Sequence, residues 1–190
     1  MAGGVRVGQN ALVPVAEALN ERELSRYVSR VSDRWPLSRA LLGGSMGSRL
    51  FDEIREQRGL CYSVYAADHA YADVPILQLG AGLDSSKCAE AYTRMREIVG
   101  ELAADGPTEA EVERARAYAA GRRVLAFENT NAVARYAANQ EIVFGEDIDP
   151  DRAIELLDQA TFDEVAAAAR TVDPDELAVA CVGPHSADEF

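Results

Sequence analysis

Hydrophobic and polar positions change their period several times along this chain, and each change marks an element. Ile76 to Leu83 alternates Leu77, Leu79 and Ala81 with Gln78, Gly80 and Gly82, the period-two rhythm of a half-buried strand. The run before it, Cys61 to Tyr71, is rich in β-branched and aromatic residues and predicts a second strand, with Ala72-Asp73-Val74-Pro75 as the hairpin connection. From Ser86 the period becomes helical, and Cys88, Tyr92, Met95, Ile98, Val99 and Leu102 form one apolar stripe.

Helix boundaries are signed by their chemistry. Thr108 with Glu111, and Thr161 with Glu164, are capping boxes, in which each end satisfies an orphan amide of the other. Helices are predicted over 108–127, 130–143, 151–158 and 161–171. Upstream, residues 17–42 read as helix broken at Trp35-Pro36, with Arg22, Arg26, Arg30 and Arg34 on one basic face. Three glycines in five residues predict a loop at Gly43–Gly47. Ser48 is then expected to cap a short helix through Arg58 that Gly59 stops. Leu177 to Val182 is apolar on both faces and ends at Gly183-Pro184, which predicts a buried closing strand. Strands early, helices in the middle and a returning strand give an α+β fold: an antiparallel or mixed sheet with helices packed on one face. The chain divides into an atypical N-terminal segment, 1–34, and one domain, 35–190.

Charge narrows the partners. The net charge is −13 over 190 residues. Residues 1–100 carry 12 acidic and 12 basic side chains, so the whole excess lies in 101–190, with 20 acidic against 7 basic. An acidic helical surface repels phosphate backbones, which argues against nucleic acid as a partner; its ordinary role is to keep exposed helix faces solvated. No apolar run is long enough to span a membrane and the N-terminus shows no signal-peptide core, so the expected location is the cytoplasm. Cys61, Cys88 and Cys181 lack a C-x-x-C pair and sit in apolar patterns, which reads as three core thiols. His69 and His185 have no second His or Glu at ligand spacing, so each is read as a solvated surface group and no metal site is assigned. A Cys61–His69 nucleophile pair fails on reach, since eight residues of strand span about 26 Å.

One block carries more than its composition. Residues 41–65, LLGGSMGSRLFDEIREQRGLCYSVY, resemble the C-terminal domain of the insulinase/pitrilysin/mitochondrial-processing-peptidase family of zinc metallopeptidases. The resemblance runs from about Trp35 to Pro184. It implies two homologous α+β domains facing each other across a cleft, the N-terminal one bearing the zinc motif H-x-x-E-H. It also implies that the C-terminal domain contributes an Arg and a Tyr seven residues apart, here Arg55 and Tyr62, as catalytic groups. A phenol aimed at the carbonyl oxygen under attack stabilises its growing negative charge, and a guanidinium holds substrate carbonyls through its fork of donors. The Gly43–Gly47 stretch resembles the site of a glycine-rich substrate-handling loop in a non-catalytic family subunit, and reads equally as a plain helix-to-helix turn. It is not a P-loop.

H-x-x-E-H occurs nowhere in the chain. The resemblance therefore implies no cofactor in this chain, zinc on a homologous partner domain or subunit, a peptide substrate, and no proteolysis by the chain alone. Where the family has an apolar strand before the first helix, this chain has the Arg-studded segment 22–39. A lost or recoded N-terminal part would account for this, and an unpaired sheet edge would favour a homodimer. Two other readings stand beside the peptidase half-domain: a non-catalytic assembly subunit, and a truncated fragment without independent function.

Overall fold

The computed structural model describes residues 36–70, 75–144, 149–175 and 177–186. The Arg22–Arg34 basic face and most of the hairpin connection, Ala72 to Val74, lie outside these residues. So does the segment 1–34.

Helical turns over 36–39 continue into a π-helical stretch, α1 (Ala40–Gly44), and a second wide-turned helix follows, α2 (Phe51–Gln57). Two antiparallel strands come next, β1 (Cys61–Ala70) and β2 (Pro75–Leu83). The remainder is helical: α3 (Cys88–Asp105), α4 (Glu109–Phe127), α5 (Thr130–Asn139) with a π turn at Gln140–Phe144, α6 (Pro150–Asp158) and α7 (Phe162–Ala169). The α+β class holds, with a two-stranded antiparallel sheet among the described residues.

The hairpin is two-faced, as its alternation predicts. Val64 and Ala66 are buried, and the residues opposite them, Ala81 and Leu79, are half-buried against the same core. Cys61, Leu77 and Leu83 complete that face. Helices cover it: Leu37, Leu41 and Leu42 at α1, Leu50 and Ile54 at α2, Ile98, Val99 and Leu102 from the predicted α3 stripe, Val112 from α4 and Val165 from α7 join one cluster. Among the described residues no helix covers the outer face. There the Tyr65 ring lies across Gly80, its cross-strand partner, where a Cβ would come within 2.4 Å of the ring; the aromatic thus covers a position with no side chain of its own.

Both capping boxes form. Glu111 N–H donates to Thr108 Oγ1 at 3.3 Å while Thr108 N–H donates to Glu111 Oε2 at 2.7 Å, and Thr161 with Glu164 repeats the pattern. Asp84 and Asp149 cap the entries to α3 and α6 in the same way, each accepting from the amide two residues on.

Three expectations are corrected. Gly43 and Gly44 close the helical stretch rather than opening a loop, although Gly43 kinks out of helical conformation at φ −155° and ψ 18°, and the turn is confined to 45–47. The reason is packing: a Cβ on Gly43 would stand 2.5 Å from the Ala66 nitrogen and 2.8 Å from the Tyr65 carbonyl carbon. Glycine is there so that α1 and β1 can touch backbone to backbone. Ser48 starts its helix, but its hydroxyl donates to the Ser45 carbonyl at 2.6 Å instead of accepting from a helix amide. The Leu177–Val182 stretch is not a buried strand. Leu177, Val179 and Cys181 are half-buried while Ala178, Ala180 and Val182 are exposed, and Val179 makes only an isolated bridge.

Candidate functional site

The corner between α2 and β1 is built in three steps. α2 ends where Gly59 takes a left-handed conformation, φ +58°, which glycine adopts without a Cβ penalty. The Gly59 amide closes on the Arg55 carbonyl at 3.1 Å, and the Leu60 amide reaches back to Ile54 at 2.8 Å. β1 then begins with a bulge: Cys61 pairs with Leu83 and Ser63 with Gly82, so Tyr62 is an extra residue without a partner in the ladder. Strict alternation would put Tyr62 on the face of Val64 and Ala66. Instead it is 87% exposed, in keeping with the use of bulges to re-aim a side chain.

Arg55 and Tyr62 therefore both stand in solvent at one corner, with no hydrogen bond between them among the described residues. The Arg55 guanidinium lies 4.7 Å over the Phe51 ring and 3.8 Å from Glu56. Its charge is felt at the neighbour of Tyr62: burial pushes the Cys61 thiol up, and Arg55 partly opposes that rise. Both donors are thus free to engage a group arriving from outside.

Other side chains fix the corner. Lys87 Nζ donates to the Gly59 carbonyl at 2.8 Å. Glu53 accepts from Arg58 Nε at 2.9 Å and Arg94 Nε at 3.0 Å, and these two arginines hold its carboxyl below the usual range. Arg94 also binds Glu97 and Glu101, so the end of α2 is tied to α3. At the start of α2, Arg49 grips Glu111 with Nε at 2.7 Å and Nη2 at 2.9 Å and donates to the Gly106 carbonyl at 3.0 Å. That pair drives the Glu111 carboxyl down to about 2.

Sequence reasoning missed Lys87, Glu53 and Arg94 as supports, since contacts between α2 and α3 leave no periodic trace. The bulge did leave one: inward positions Cys61 and Val64 are three apart, where a regular strand requires an even spacing.

His69 sits on the exposed outer face of the hairpin with Nε2 3.2 Å from Gln78 Oε1. His185, Cys181 and Cys88, which the sequence reading treated separately, come together: one ligand atom from each lies within 4.8 Å of the others. Neither histidine belongs to an H-x-x-E-H pattern, so these residues do not fit the catalytic zinc of a metallopeptidase. A surface concavity lined by Glu109, Glu113, Arg116, Ala117, Asp158 and Phe162 involves neither α2 nor β1. No described helix is long and apolar enough to cross a membrane.

The chain has relatives among known proteins. Residues 37–118 match the family model described as the peptidase M16 inactive domain. An uncharacterized zinc protease of Mycobacterium tuberculosis is 34% identical over 154 residues, covering 80% of this chain and 35% of that protein. One from Mycobacterium leprae is 33% identical over 155 residues, with the same coverage of each. The chain thus spans about a third of the length of the curated relatives it matches. The crystal structure of a peptidase M16 inactive domain from Pseudomonas fluorescens superposes with a TM-score of 0.64 at 22% identity, over 76% of this chain and 35% of that one. By its sequence and its fold, this chain belongs to the M16 family of zinc metallopeptidases, as a C-terminal domain of the inactive type.

Proposed function

We propose that this chain supplies the non-metal half of a peptidase cleft, with Arg55 and Tyr62 acting on a peptide substrate held against a zinc-bearing M16 domain or subunit. The observation that carries the reading is the bulge, which turns a tyrosine out of the sheet face it would otherwise share and leaves it 87% exposed beside an exposed arginine.

The chemistry follows from the donors. During hydrolysis of a peptide bond, negative charge grows on the carbonyl oxygen, and a phenol O–H placed within hydrogen-bonding reach donates more strongly as that charge develops. Arg55 presents a planar fork of N–H donors suited to backbone carbonyls of an extended peptide. Phe51 beneath the guanidinium limits its wandering. Lys87 on Gly59 and the Glu53–Arg58–Arg94 cluster hold the corner, so little ordering is left for the moment of binding.

The test is reconstitution. Co-expressed with a zinc-bearing M16 domain, the chain should co-purify with it, and the complex should hydrolyse an unfolded peptide while the chain alone does not. In that complex Tyr62→Phe should lower kcat by roughly 10²–10³ with little change in KM, because the lost donor acts mainly on the transition state. Arg55→Ala should act chiefly through KM. Unchanged kcat in Tyr62→Phe would remove Tyr62 from the chemistry and leave an assembly role for the fold. Cleavage by the purified chain alone, in proportion to its concentration, would contradict the division of labour itself.

A further inference from the structure

The geometry points to a structural metal site in this chain at Cys88, Cys181 and His185, taking a divalent cation of the zinc class. It is independent of the peptidase corner and of the reading given to it. Three side chains from two distant parts of the chain converge there. Cys88 is buried at the first residue of α3; Cys181 and His185 are half-buried and come from the closing segment, in a C-x-x-x-H spacing.

Two thiolates and an imidazole are the donor set of a structural or semi-open zinc site. With metal–sulfur bonds near 2.3 Å and metal–nitrogen bonds of about 2.0–2.1 Å, tetrahedral ligand atoms stand about 3.5–3.8 Å apart. The three ligand atoms already lie within 4.8 Å of one another, so closing on a metal takes about an ångström of side-chain movement. Two thiolates neutralise a divalent charge, and the fourth position is open to water.

The local backbone suits this use. The His185 ring folds back over Gly183, where a Cβ would meet Cδ2 at 2.8 Å and Nε2 at 3.1 Å. A glycine at 183 therefore leaves room for the imidazole to turn toward Cys181. The Cys88 sulfur is 3.7 Å from the Asp84 carbonyl, a weak contact that a thiolate on a metal would give up. The staple would also meet a mechanical need: the closing segment is anchored by half-buried residues on one side only, and a metal would bind it to the start of α3. Lys87, which holds the Gly59 turn, is the residue next to Cys88.

Binding is a proton-balanced exchange: two thiols lose their protons to solvent, the metal gains two thiolates and one imidazole, and nothing is oxidised. The purified chain, reduced and stripped with chelator, should take up one Co(II) with a thiolate-to-metal charge-transfer band, release two protons per metal, and yield the Co(II) to Zn(II). Zn(II) should raise the melting temperature, since it binds the folded state. Cys181→Ser and His185→Ala should each weaken binding at least tenfold with unchanged far-ultraviolet dichroism, while Cys61→Ser binds as the parent does. Each variant reads the same site separately, so failure of one to fold leaves the other as the test. Co(II) binding as tight in Cys181→Ser as in the parent, uptake below one equivalent, or two thiols lost to a disulfide without metal would each overturn the proposal.

Discussion

Replacing Glu111 by glutamine removes a charge from a carboxylate that accepts four hydrogen bonds. Its oxygens accept from Arg49 Nε and Nη2, from the Thr108 amide and from the Thr108 hydroxyl. A glutamine keeps the shape and one acceptor but turns an NH₂ toward donors. It also strands the Arg49 guanidinium, whose side chain is 21% exposed against 17% for Glu111. The carboxyl is held at about 2 against an ordinary 4.5, which corresponds to about 3 kcal/mol of native stability at neutral pH. Because the folded value is the lower one, this contribution is fully present above the unfolded value and is lost as pH falls through the folded one. Between pH 5 and pH 3 the advantage of the parent over Glu111→Gln should shrink by about 2 kcal/mol. Urea unfolding of both proteins at the two pH values measures it, and taking the difference cancels the other carboxylates. A gap under about 0.5 kcal/mol at pH 7, within the range of an ordinary surface substitution, or a gap of equal size at pH 5 and pH 3, would refute the reasoning.

Two further substitutions test the backbone arguments. Gly43→Ala drives a methyl group into the Ala66 nitrogen and the Tyr65 carbonyl carbon, neither of which yields as a side chain does, and should cost about 1–3 kcal/mol; a parental melting temperature would show that α1 and β1 do not meet so closely. Gly59→Ala meets nothing within 4 Å, so its cost is conformational alone, about 1 kcal/mol for a residue held at positive φ, and chemical denaturation showing no loss would contradict the left-handed stop.

What the sequence made legible is what is local. The Thr108–Glu111 and Thr161–Glu164 boxes, the Gly59 stop, the alternation of Leu77, Leu79 and Ala81, and the α3 stripe each depend on residues within a turn or two of one another. The block around Arg55 and Tyr62 was legible as a motif, whereas the bulge that exposes the tyrosine left only the odd spacing of Cys61 and Val64. Errors fell where a distant neighbour decides. Gly43 reads as a loop residue until β1 is laid against it. Leu177–Val182 reads as buried on both faces, but among the described residues β1 and β2 pair only with each other, so its outer side stays in solvent. Cys88, Cys181 and His185 are unremarkable at their separate positions and become a cluster only when the closing segment returns to α3.

The bulge at Tyr62 makes that residue the one position of β1 that the ladder can lose. Were Tyr62 deleted, Cys61 would become the direct neighbour of Ser63, and their existing partners, Leu83 and Gly82, are already adjacent. Cys61 would keep its place against the core and Ser63 its outward place, so the hairpin would lose an irregularity and gain a continuous register. A strand shortened by this one residue should fold at least as readily as the natural one. The phenol thus sits at a position that pairing does not need.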